Sequence, residues 1–126
     1  MSYPDIDEAR RQHGALQRLF VRAPDVSDAQ MLRKVEQLCA QAGAAVRDEY
    51  CRQEIAIVAG YAAELFAQGA SARYESESMS GAEFLRLQIL KALDSFHSRL
   101  YSIEAIRRAG ERELYPSALR GGGRAA

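Results

Sequence analysis

Proline occurs at only three positions, Pro4, Pro24 and Pro116, and its absence elsewhere is the strongest constraint on the fold. Inside a helix a proline removes a backbone donor and clashes with the preceding turn, at a cost of about 3 kcal/mol. Between these points the chain carries apolar residues at three- and four-residue spacing, the period of a helix with one buried face. It shows no alternating β-branched run and no Asn-Gly or Asp-Gly turn, so nothing favours strands. The expected fold is all-α, a small antiparallel helical bundle.

Helix starts are marked by a Ser or Asp followed three residues later by Glu or Gln, a pairing that satisfies free N–H groups at a helix N-terminus. Asp5 with Glu8, Ser27 with Gln30 and Ser80 with Glu83 each precede an apolar run. The first helix, residues 5–22, lines up Ile6, Ala9, His13, Leu16 and Phe20. The last, residues 81–109, lines up Leu85, Ile89, Leu93, Phe96, Leu100, Ile103 and Ile106. Residues 27–68 form the third segment, and as one straight helix they would run about 60 Å, against a radius of gyration near about 14 Å for a compact domain of this size. The bundle therefore has three long helices, or four if the middle one breaks between Gly43 and Glu54; a break or kink is the expectation. Residues 55–67 are apolar nearly all round. They are expected to form the most buried helix and, where uncovered, the dimer surface.

The stretch 69–80, rich in Ser, Gly, Ala and Glu, reads as an exposed loop. Residues 1–115 are expected to form one domain, and 116–126, with three consecutive glycines, a flexible tail. No internal repeat is present.

Seventeen Lys and Arg balance seventeen Asp and Glu, so the formal charge is zero and the basic excess of a nucleic-acid binder is missing. The longest apolar run, 55–63, is too short to span a bilayer, and the N-terminus lacks a signal-peptide layout. A cytoplasmic location is expected. Lys34 and Lys91 are the only lysines, an arginine usage that suggests a GC-rich bacterial genome. Cys39 and Cys51 lie twelve residues apart, roughly 18 Å along a straight helix, too far to pair. They read as small core fillers.

Chemistry-bearing residues are few. His13 falls on the core stripe of the first helix, and His97 sits at the edge of the last, in line with Leu93, Tyr101 and Glu104. Asp94 precedes His97 by one turn, so the two side chains share a face. Glu64 stands among Tyr61, Leu65 and Phe66, and burial there calls for a partner such as an arginine. Asp94-Ser-Phe-His97 resembles the Glu-x-x-His element of di-metal helical bundles. The element occurs once and with Asp for Glu, so no metal site is expected, and no cofactor. His97-Ser-Arg-Leu-Tyr-Ser resembles the His segment of phosphotransfer domains, but without the Lys-Gly pair that follows their histidine.

The leading expectation is thus a helical interaction or structural module that self-associates, as a dimer, or binds another protein. Tyr50, Ile57, Tyr61, Phe66 and Tyr101 are its candidate interface residues. The alternative is a small bundle enzyme or metal- or ligand-binding protein using His97 with Asp94 and Glu64, and with His13, or a His-phosphotransfer module.

Overall fold

The computed structural model describes residues 3–22, 29–67 and 70–114. Four α-helices carry the fold: α1 Pro4–Arg22, α2 Ala29–Ala45, α3 Glu49–Phe66 and α4 Gly81–Leu114, with a short 3-10 turn, Ala70–Tyr74, before α4. Among the described residues there is no strand. Neighbouring helices pack in the cyclic order α1, α2, α3, α4 and back to α1, and the diagonal pairs are not in backbone contact. That is the arrangement of a four-helix bundle with short connections.

The middle segment is two helices. Backbone pairing stops after Ala45, and Asp48, with extended φ and ψ of −142° and 125°, starts α3 by accepting a hydrogen bond from the Cys51 N–H at 3.0 Å. Val46, buried, anchors the corner, and its carbonyl accepts from the Asp48 N–H. Gly43 stays inside α2. The helix is ended by the competing cap at Asp48 and not by glycine.

Two of the three expected helix starts lie within the described residues. Ser80 caps α4 through the Glu83 N–H at 3.1 Å. Asp5 does not cap α1. Pro4 opens that helix, where its missing N–H costs nothing, and the Asp5 carboxylate instead accepts two 2.8 Å hydrogen bonds from Arg107. The Ser27 start and the tail from 116 lie outside the described residues.

Residues 55–67 are buried along one face and not all round. Ile55, Val58, Ala62, Leu65 and Phe66 face the core, while Ala56, Ile57, Gly60 and Ala63 face out. The central element is α4, which packs against α1, α3 and the 3-10 turn. Its Leu85, Ile89, Leu93, Phe96 and Leu100 are fully buried. Phe20 of α1 and Phe66 of α3 meet across the bundle diagonal with ring centroids 6.1 Å apart. Nor is 69–80 simply an exposed loop: Tyr74 is half-buried and stacks on Phe84 at 5.3 Å. No described helix is long and apolar enough to cross a membrane.

Candidate functional site

The seam between α1 and α4 holds the densest polar cluster. The helices run antiparallel, as successive ties show: Tyr3 donates to Glu111, Arg107 to Asp5, and Arg10 to Glu104. One turn further along, His13 lies against His97. Their rings stack at 4.6 Å between centroids and 13° between planes. Tyr101 stands edge-on to His97 at 6.0 Å, and the Arg10 guanidinium lies 5.4 Å over the Tyr101 ring. The chain's only two histidines, 84 residues apart in sequence, thus form one contact.

The two rings differ in environment. His13 is buried, with 7% of its surface exposed, and its Nε2 has no hydrogen-bond partner. Burial pushes its pKa below the usual imidazole value, the charge of His97 adds to this, and Asp94 and the Leu93 backbone oppose it. His97 is half-buried. Beside them Glu104 is buried at 6% exposure and accepts from Arg10 at 2.7 Å and from Arg108 at 3.2 Å. The Arg10 hydrogen bond holds its carboxyl below the usual range. Glu104 was visible in the sequence only as a residue in line with His97. Its partner Arg10 is on another helix, and no local pattern joins them.

This cluster does not assemble a metal site. Parallel imidazoles direct their in-plane lone pairs side by side, not toward a shared point about 2 Å away, as coordination requires. Among the described residues no group of three or more His, Cys, Asp and Glu could hold a metal ion.

The other candidates are dispersed. Glu64, near the far end of α3, accepts from Arg73 and from the Tyr74 hydroxyl, so it acts as the structural carboxylate anchoring the 3-10 turn. It does not meet His97. Asp94 is exposed and lines an open hollow of about 370 Å³ with Tyr50, Ser95, Ser98, Arg99 and Ser102. Arg99 is engaged elsewhere, donating to Asp48 at 2.9 and 3.1 Å.

The candidate interface residues also divide. Phe66 is buried against Phe20, and Tyr61 is half-buried against the core. Tyr50, Ile57 and Tyr101 are exposed, Ile57 at 41% and Tyr101 at 64%. Tyr101 belongs to the α1–α4 cluster and Tyr50 to the hollow beside Asp94. Only Ile57 has an apolar surround, since Ala56, Gly60 and Ala63 on successive turns of α3 are exposed with it. Cys39 and Cys51 are buried free thiols whose pKa values burial pushes up to about 12.

No family model, characterised protein or solved structure matches this chain.

Proposed function

We propose that this protein is a helical interaction module whose partner is a second copy of itself, bound through the outward face of α3. The observation that carries the reading is Gly60. It sits in the middle of a helix, where glycine is about 1 kcal/mol less favourable than alanine. A Cβ built there would meet nothing within 4 Å, so no contact inside the subunit uses the missing side chain. Gly43 and Gly110 are equally free of Cβ neighbours but are partly buried, whereas Gly60 is exposed; close approach of a second subunit would use the missing side chain.

The residues around Gly60 suit an isologous contact, in which the same patch serves both partners. Ile57 protrudes three residues before Gly60, and Ile57, Gly60, Tyr61 and Glu64 border an open hollow of about 450 Å³. Such a space accommodates an isoleucine side chain from a partner, while Ala56 and Ala63 keep the helix axes close. The break in the middle segment removes one argument for a dimer, because no long uncovered helix remains. The enzymatic alternative has lost more, since of the groups it needs Glu64 is engaged by Arg73 and Tyr74 while His97 packs against His13 and Tyr101.

Molar mass by light scattering coupled to size exclusion, over a concentration series and with and without chelator, tests the reading. The wild-type chain is expected to approach twice its monomer mass with or without chelator, and Gly60→Leu and Ile57→Asp to remain monomeric with unchanged helix content. A wild-type mass that stays monomeric at every concentration overturns it.

A further inference from the structure

We infer that the His13–His97 stack is an acid-sensitive latch: protonation of His13 releases α1 from α4. The geometry sets the two rings 4.6 Å apart with their faces together, at the middle of the seam that holds α1. Buried polar atoms without a partner are few in native proteins, and the His13 Nε2 is one of them. In the neutral ring it is an acceptor lacking a donor. Once protonated it becomes a donor lacking an acceptor, and it places a positive charge among apolar side chains. His97, one stacking distance away, opposes that charge.

Little in the surroundings can absorb it. On α4, Asp94 favours the charged ring, but less strongly than burial and His97 oppose it. Glu104 is already shared by Arg10 and Arg108. Tyr101 presents its ring, and on α1 Arg10 adds positive charge. The buried face of α2 offers Val35, Cys39 and Ala42, and that of α3 begins with Cys51, Ile55 and Val58. Both thiols, with pKa values raised to about 12, stay neutral across the relevant range.

Undocking α1 exposes the rings to water, where imidazole titrates near about 6.5. The open form then binds more protons than the closed form as pH falls below that value. The latch is therefore fully effective above about pH 6.5 and weakens below it. The carboxylates of the same seam, Asp5 and Glu104, are held below their usual range by Arg107 and Arg10, so their own loss begins only at more acid pH. α2 and α3 contain no histidine, and α3 is tied to α4 by a clamp of its own, Asp48 with Arg99. The response is confined to the α1 side.

Hydrogen exchange on the full chain at pH 7.0 and 5.2, corrected for the intrinsic pH dependence of the chemistry, reads this directly. Protection is expected to fall in α1 and in the facing residues of α4 while α3 keeps its own. The opening constant should rise up to tenfold per pH unit for the one proton taken up by His13. His13→Leu is expected to abolish the fall. His97→Gln, at a half-buried site that tolerates change, should reduce it, and serves as the test if His13→Leu does not fold. Equal protection at both pH values, an equal loss in α3, or an undiminished fall in either folded variant overturns the latch.

Discussion

Replacing Asp48 with alanine removes the N-cap of α3 and the counterion of Arg99 together. The carboxylate accepts from the Cys51 N–H at 3.0 Å and from Arg99 at 2.9 and 3.1 Å, and the Arg99 contact is the main reason its pKa falls from 3.8 to about 2. At about 1.4 kcal/mol per pH unit this is worth somewhat over about 2 kcal/mol. Arg99 is 37% exposed, and solvent screening trims the charge contribution. The capping bond, typically about 1 kcal/mol, is partly contained in the same shift and is not added again. The expected loss is about 2 kcal/mol at pH 7, measurable by urea unfolding followed by circular dichroism. Because the folded pKa is depressed, the contribution is complete above about pH 4 and disappears as pH falls from there toward about 2. The gap between wild type and Asp48→Ala should narrow over that interval, and Arg99→Leu should produce a similar, non-additive loss. A change below about 0.5 kcal/mol at pH 7, or a gap as wide at pH 2.5 as at pH 7, refutes the assignment of Asp48 as the clamp of the α2–α3 corner.

Phe96, fully buried on α4, should cost about 3–5 kcal/mol when replaced by alanine, read from the same urea transition at unchanged helix content. Cys39 and Cys51, with pKa values near about 12, should resist a thiol-specific disulfide reagent at pH 8 except at the rate of unfolding; both should react at once in denaturant. Glu104→Gln should lower the urea midpoint at pH 7, because Arg10 and Arg108 lose their shared anion. Since the Glu104 carboxyl is held below its usual range, that difference should close as pH drops through the carboxylate range.

The helical class was legible because proline punctuation, the Ser80–Glu83 start and the stripe from Leu85 to Leu100 all agree. The corner at residues 46–48 was bracketed by size alone: a helix spanning 27–68 would outgrow the domain, and the turn falls inside the expected interval. Its position was not readable, because Asp48 lacks the Glu or Gln that marks a reciprocal cap; Cys51 stands there instead. Residues 55–67 read as apolar all round yet bury one face, because alanine and glycine count as apolar in a pattern and cost little when they face water. His13 and His97 were each placed on the right face of their own helix. Their stacking depends on the register of α1 against α4, which no local sequence pattern encodes. Glu64 found the arginine partner its setting required, and Arg73 was out of sight only because a 3-10 turn replaced the expected open loop.

The α1–α4 seam also bears on how the chain is made. Tyr3 meets Glu111, and His13 meets His97, so α1 completes its packing only after α4 has been synthesised. At about 5–20 residues per second, roughly 5–20 s separate the two ends of that contact during translation. Over this interval α2 can cover part of the stripe formed by Ile6, Leu16 and Phe20, but Phe96, Leu93 and Leu100 have yet to emerge. The nascent chain thus carries an apolar surface whose lifetime is set by elongation, and slower translation of residues 81–114 prolongs its exposure to aggregation or to chaperone capture.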